Sequence, residues 1–177
     1  MARLPLIDPA AAQGETKQLF DGPLKGKHLN IFKAMGNSPA ALHTYLGMAG
    51  ALAKAQLSEK EREAIQLAVG EANRCDYCVA AHTKIGVGAG LTEDQAKEAR
   101  RGKVTSDAKL HALVTFALAL NEKRGWVSDD DLQAVRDAGY ADAHIAEAVA
   151  VFALAIFTNY FNHVAETPVD FPDPGAI

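Results

Sequence analysis

Three observations predict an all-α, single-domain bundle of about seven or eight helices. Apolar residues recur at helical spacing: Leu42, Tyr45, Leu46, Ala49 and Leu52 form one stripe, and Leu110, Leu113, Val114, Ala117 and Leu118 another. No segment alternates convincingly at period two, as a half-buried strand would. Helix-start signals precede the apolar stretches: Ser38-Pro39, Ser58-Glu59-Lys60-Glu61 and Thr92-Glu93-Asp94-Gln95. A chain of 177 residues, 49% apolar, has the size to bury one core of its own.

Taken in order, residues 1–26 carry Pro5, Pro9, Pro23, Gly14, Gly22 and Gly26 and read as an extended N-terminal arm. A short helix over residues 27–35 is closed by Gly36-Asn37, and Ser38 caps the next, which runs to about residue 55. The box at Ser58 opens a helix to about residue 73. After a break near Arg74, a helix holding both cysteines ends in Gly86, Gly88 and Gly90. A short polar helix follows from Thr92 to about residue 101, a long one from Ser106 to about 123, and a short one from Ser128 to about 138. The last helix starts at Ala141 or Asp142 and runs to about residue 165. Its middle is apolar almost all round, which predicts a buried spine of the domain or of a subunit interface. The helical domain therefore covers residues 27–166, and residues 167–177, with Pro168, Pro172 and Pro174, form an extended tail.

Eighteen basic and 22 acidic residues leave a net charge of −4, with no like-charge block longer than Asp129-Asp130-Asp131. A nucleic-acid partner calls for a basic stripe and a membrane surface for a polybasic patch, so neither partner is expected. The N-terminal residues lack the apolar core of a signal peptide, and the longest apolar run, residues 148–157, is too short to span a bilayer. The expected location is the cytoplasm. There, a Cys-x-x-Cys pair points to redox chemistry or a metal more than to a structural staple.

The two cysteines of the chain, Cys75 and Cys78, are followed by His82. At about 100° per helical residue, all three fall within roughly 60° of arc on one face. The break at Arg74 puts the thiols in the first turn, where unpaired N–H groups favour a thiolate, and His82 stands one turn on as a base. A second thiol nearby resolves a sulfenic acid to a disulfide. Two other readings stand beside this one. Cys75, Cys78 and His82 are also three metal ligands, needing a fourth donor for a structural zinc. They are also compatible with two small buried side chains that happen to lie three apart. Glu63 shares a stripe with Leu67 and Gly70, and by spacing alone reads as a solvated glutamate near a helix start.

The separation Glu63-x11-Cys75-x-Tyr77-Cys78-x3-His82, in an all-helical chain of this length, resembles the alkylhydroperoxidase D family of the carboxymuconolactone decarboxylase superfamily. The motif spans about 20 residues, and the helical layout agrees over about residues 38–165. The resemblance implies a thiol peroxidase acting on hydrogen peroxide or organic hydroperoxides. It makes Cys78 the peroxidatic and Cys75 the resolving cysteine, and Glu63 and His82 a proton relay. It implies neither cofactor nor metal, an electron donor of dithiol or lipoyl type, and a homo-oligomer, trimer or hexamer. Tyr77 replaces the histidine that the best-known member carries between its cysteines, and has a supporting place in the site. The alternatives are a protein or lipoyl disulfide reductase with incidental peroxidase activity, and a Cys/His metal-binding oligomeric module without catalysis. Of the remaining polar residues, Asn159, Asn162 and His163 share a face near the end of the last helix and read as a polar helix end, with a border of the site or a subunit contact as the alternative. Trp126 reads as a loop anchor, and His28, His43, His111 and His144 as isolated surface or satisfied core histidines.

Overall fold

The computed structural model describes residues 2–177. Among the described residues nine helices follow one another: α1 Gly14–Asp21, α2 Asn30–Met35, α3 Pro39–Leu52, α4 Glu59–Ala72, α5 Asp76–Gly88, α6 Glu93–Arg100, α7 Ala108–Glu122, α8 Asp129–Asp137 and α9 Asp142–Ala165. The described residues contain no strand, as the sequence predicts, but one helix more than expected. The extra helix is α1, inside the stretch expected to be extended. Thr16, Leu19 and Phe20 lie at helical spacing and are buried, so packing outweighs the neighbouring glycines and prolines.

The predicted caps are present. Ser58 and Glu61 exchange side-chain and backbone bonds at the start of α4, and Thr92 with Gln95 and Ser128 with Asp131 do the same for α6 and α8. Each such cap is worth about 1 kcal/mol to its helix. Asp107, one residue past the expected Ser106, caps α7 by accepting from the Leu110 N–H.

Helix α4 is the hub. Every residue from Ala64 to Gly70 is buried, and α5, α6, α7 and α9 all pack on it. One core cluster joins α4 to α7, α8 and α9 through Ile65, Val69, Leu113, Phe116, Val135 and Val151. A second gathers Phe20, Phe32, Met35 and Leu42 from α1–α3 around Cys75, Tyr77 and Cys78. Helix α9 buries Ala148, Val151, Leu154, Ala155 and Thr158, yet Val149, Tyr160 and Val164 on its outer side are exposed. The expectation of a fully buried helix thus holds for one face only. Trp126 is 88% exposed and anchors nothing.

Both arms lie on their own chain. The Arg3 N–H donates to the Ala165 carbonyl and the Ile7 N–H to the Lys33 carbonyl. The tail after α9 forms no helix or strand. It crosses the α2–α5 end of the bundle, and Arg100 holds its far end by donating to the carbonyls of Pro174 and Gly175.

Candidate active site

Helix α4 ends and α5 begins within three residues. Arg74 takes the left-handed conformation (φ 55°), its N–H donates to the Glu71 carbonyl, and the Cys75 N–H donates to the Gly70 carbonyl. That is the Schellman closure of α4, with arginine where glycine is usual. Cys75 is then the N-cap of α5, its sulfur accepting from the Cys78 N–H at 3.4 Å. The predicted break therefore exists, and it sets both sulfurs at the positive end of a 13-residue helix. Cys75 and Cys78 are joined as a disulfide, their Cα atoms 5.3 Å apart.

Two glycines lie where α4 and α5 meet, Gly70 on α4 and Gly86 on α5. A Cβ on Gly70 would stand 3.4 Å from the Cys78 Cβ, and one on Gly86 would meet Leu91 at 2.8 Å and the Glu63 Cβ at 3.4 Å. At this distance Glu63 on α4 faces His82 on α5, and His82 Nδ1 lies 2.7 Å from Glu63 Oε2. Glu63 is not the solvated glutamate of spacing alone: its side chain is 12% exposed and that of His82 16%. The Nδ1–H donates to the carboxylate, which leaves Nε2 as the ring's free base.

Cys78 and His82 line a small cavity of about 60 Å³. Its walls are apolar and aromatic, formed by Ile31, Phe32, Tyr45, Leu154 and Phe171 among others. Burial, and then the negative charge of Glu63, push the Tyr45 hydroxyl above its ordinary range, so it stays a neutral phenol. Tyr77 does not face Glu63 or His82 with its hydroxyl. That group donates to Asp170 Oδ1 at 2.8 Å and accepts from the Ile31 N–H at 3.3 Å. Asp170 Oδ2 in turn accepts from the Asn30 N–H at 2.8 Å, and Phe171 meets the Tyr77 ring edge-on. The tail is thus strapped over the cavity through the residue between the cysteines.

Two polar residues enter the site that the favoured sequence reading left outside it. Asn162 is buried, not a solvated helix end: its Nδ2 donates to Cys78 Sγ at 3.3 Å, 3.9 Å from Cys75 Sγ, and its Oδ1 has no donor. Asn159 is buried too and accepts from Asn73, which accepts from Asn121, while His163 is exposed. Gln66, which the helical pattern of α4 does not distinguish, lines the cavity with a buried, unpartnered Oε1. Among the described residues no three His, Cys, Asp or Glu side chains group as metal ligands. Instead His82 is committed to Glu63.

An all-helical domain with a dithiol opening one helix and a carboxylate–imidazole pair beside it defines a class, the alkylhydroperoxidase fold. Residues 39–119 match the model of the carboxymuconolactone decarboxylase family. Two solved structures have the same fold over nearly the whole chain. One is described as an alkylhydroperoxidase AhpD core, an uncharacterized peroxidase-related protein from Ralstonia eutropha JMP134. It is 24% identical with a TM-score of 0.84, and the alignment covers 96% of this chain and 92% of that one. The other is an uncharacterized peroxidase-related protein from Silicibacter sp. TM1040, 23% identical with a TM-score of 0.82, covering 98% and 93%. A cysteine-to-alanine variant of the debrominase Bmp8 in complex with 2,3,4-tribromopyrrole is also similar, at 17% identity and a TM-score of 0.77, covering 98% and 96%. At these identities the likeness establishes the fold. The comparison with curated proteins found no match.

Proposed function

We propose that the protein is a thiol peroxidase that reduces hydrogen peroxide or organic hydroperoxides through the Cys75–Cys78 couple. The observation that carries this reading is that His82, paired with Glu63 at 2.7 Å, lines one cavity with Cys78. In the reduced protein His82 Nε2 takes the Cys78 proton, and Glu63 stabilises the imidazolium. The Cys78 thiolate attacks the peroxide O–O bond, one oxygen leaves as water or alcohol, and Cys78 becomes a sulfenic acid. Cys75 then attacks Cys78 Sγ and releases water, giving the disulfide seen here. One peroxide and two thiols become one disulfide, one alcohol or water, and one further water.

Other features support the substrate. A cavity of about 60 Å³ has room for a hydroperoxyl head. The unpartnered carbonyl oxygens of Gln66 and Asn162 lack a donor, and a peroxide O–H supplies one. The apolar walls suit an alkyl or aromatic body. The exposed outer side of α9, with Val149, Tyr160 and Val164, lies beside an α3 that buries only Leu42. Self-association would cover both, and the mass in solution by light scattering tests it.

The deciding experiment follows free thiols in the reduced protein after one equivalent of cumene hydroperoxide. Two thiols falling to none, faster than free cysteine reacts and reversed by dithiothreitol, is the expected result. Cys78→Ser should hold its remaining thiol unreacted. Wild-type thiols that ignore peroxide yet are oxidised by disulfides would replace this reading with that of a disulfide reductase.

A further inference from the structure

Phe171 stands between two spaces of different size. On one side is the cavity of about 60 Å³ with Cys78 and His82 in its wall. On the other is a groove of about 530 Å³ beneath the tail, lined by Val79 and Ala80 of α5 and by Val169 and Pro174 of the tail. Among the described residues Phe171 is the one that lines both. Cys78 and Val79 are consecutive in α5, so the groove lies one residue along the helix from the reacting sulfur.

The tail is fixed on either side of Phe171 and unbonded between. Asp170 is held by the Tyr77 hydroxyl and the Asn30 N–H, and the carbonyls of Pro174 and Gly175 by Arg100. From residue 171 to 173 no backbone group bonds to a helix among the described residues. The Phe171 ring is half-buried and meets the Tyr77 ring edge-on, 5.6 Å between centroids.

We infer that the groove beneath the tail is the subsite for the organic part of a hydroperoxide, and that Phe171 is the gate between it and the reacting cysteine. The inference rests on the peroxidase reading and adds where the body of the substrate lies and which residue admits it. Sites that hold whole organic molecules measure about 300–1,000 Å³. The groove falls in that range and the cavity far below it, so the cavity takes the hydroperoxyl head and the groove the rest. A swing of the Phe171 ring, on a span that no backbone bond holds, joins the two spaces. The groove also specifies the chemistry of the body. Its charged residues, Arg74 and Arg100 against Glu71, Asp76 and Asp173, nearly cancel, and its α5 side is apolar. An uncharged alkyl or aryl group fits it, buried against Val79 and Ala80.

The test uses the reduced full-length chain and two peroxides: cumene hydroperoxide, which has an organic body, and hydrogen peroxide, which has none. Stopped-flow thiol loss gives a second-order rate constant for each, and the readout is the ratio of the first to the second. Phe171→Ala should raise this ratio about tenfold, the gain expected from freeing a gate that stands open about a tenth of the time. Phe171→Trp should lower the ratio, and so should Val169→Trp, which fills the groove from an exposed position. A residue that only stabilises the tail moves both rate constants together. A ratio that is unchanged or lowered in Phe171→Ala therefore overturns the proposal. So does a ratio that ignores the Phe171 variants and falls in Ile85→Trp, which would put the body on the side of the cavity where Ile85 is 38% exposed. Failure of the peroxidase reading appears separately, as thiols that neither peroxide oxidises.

Discussion

The two walls of the active site are built in different ways. On one side, Glu63 projects from α4 and Cys78 and His82 from α5, two helices in contact beside Gly70 and Gly86. On the other, Asp170 and Phe171 belong to a segment without secondary structure, held by hydrogen bonds to Tyr77 and Asn30. The first wall carries groups that must keep sub-ångström register for proton transfer, and close-packed helices provide it. The second has only to cover an apolar cavity, and a strap of few bonds suffices. Substitutions in the helical wall should therefore act on rate, and those in the strap on stability.

The largest effect that sharpens this contrast is at Glu63. Glu63→Gln keeps an acceptor for the His82 Nδ1–H but removes the charge that stabilises the imidazolium. Oxidation of the reduced protein by hydroperoxide should slow about a hundredfold at neutral pH, with melting temperature little changed. Stopped-flow measurement of thiol loss checks it. A rate within twofold of wild type would place Glu63 outside the relay.

A smaller effect is expected where the two walls meet, at Asn162. The amide is buried, its Nδ2 is 3.3 Å from Cys78 Sγ, and its Oδ1 has no donor while the disulfide is closed. A disulfide sulfur is a poor acceptor, and a thiolate a good one. Reduction also creates an S–H that can donate to Oδ1. Asn162 therefore favours the state with one thiol and one thiolate over the disulfide. Asn162→Leu should slow alkylation of Cys78 in the reduced protein, read as rate against pH, and lower the reduction potential of the couple. An unchanged alkylation profile would leave Asn162 a packing residue only.

How much of this was legible in the sequence follows the same division. Cys75, Cys78 and His82 fall within eight residues at the start of one helix, so their spacing carries their geometry, whereas Glu63 lies on the preceding helix, read as solvated by spacing and was tied to the site only by the family resemblance. The caps at Ser38, Ser58, Thr92 and Ser128 are local as well, and so are the helices they begin. Asn162 lies 84 residues from Cys78, and Asp170 lies 93 from Tyr77. No periodicity links them, and an asparagine near a helix end reads alike whether water or a sulfur is its neighbour. α1 was obscured by its glycines, because three buried side chains outweigh composition only once α2 and α3 are there to pack on. The exposed side of α9 was hidden by the opposite fault: apolar character all round says that a helix needs cover, and not that its own chain supplies it.

The smallest effect breaks the strap without touching the helices. Burial, reinforced by the hydrogen bond to Asp170, holds the Tyr77 hydroxyl well above its ordinary value of 10.0. Its pKa is raised on folding, so the folded state favours the protonated phenol. That contribution is fully present below about pH 10, where the unfolded tyrosine is also protonated, and is lost as pH climbs beyond. Tyr77→Phe removes the bond to an exposed carboxylate that water then solvates. The cost at pH 7 should be about 1 kcal/mol, or roughly 2–4 °C in melting temperature. Between pH 9 and 11 the melting temperature of Tyr77→Phe should fall less steeply than that of wild type. Part of the slope will remain, because burial and Glu61 raise Tyr140 in the same direction. Melting curves of the two proteins across that range decide it, and equal slopes would detach Tyr77 from the strap's stability. Hydroperoxide turnover at pH 7 should stay within about twofold of wild type, since the Tyr77 hydroxyl bonds to Asp170 and Ile31 and to neither Glu63 nor His82.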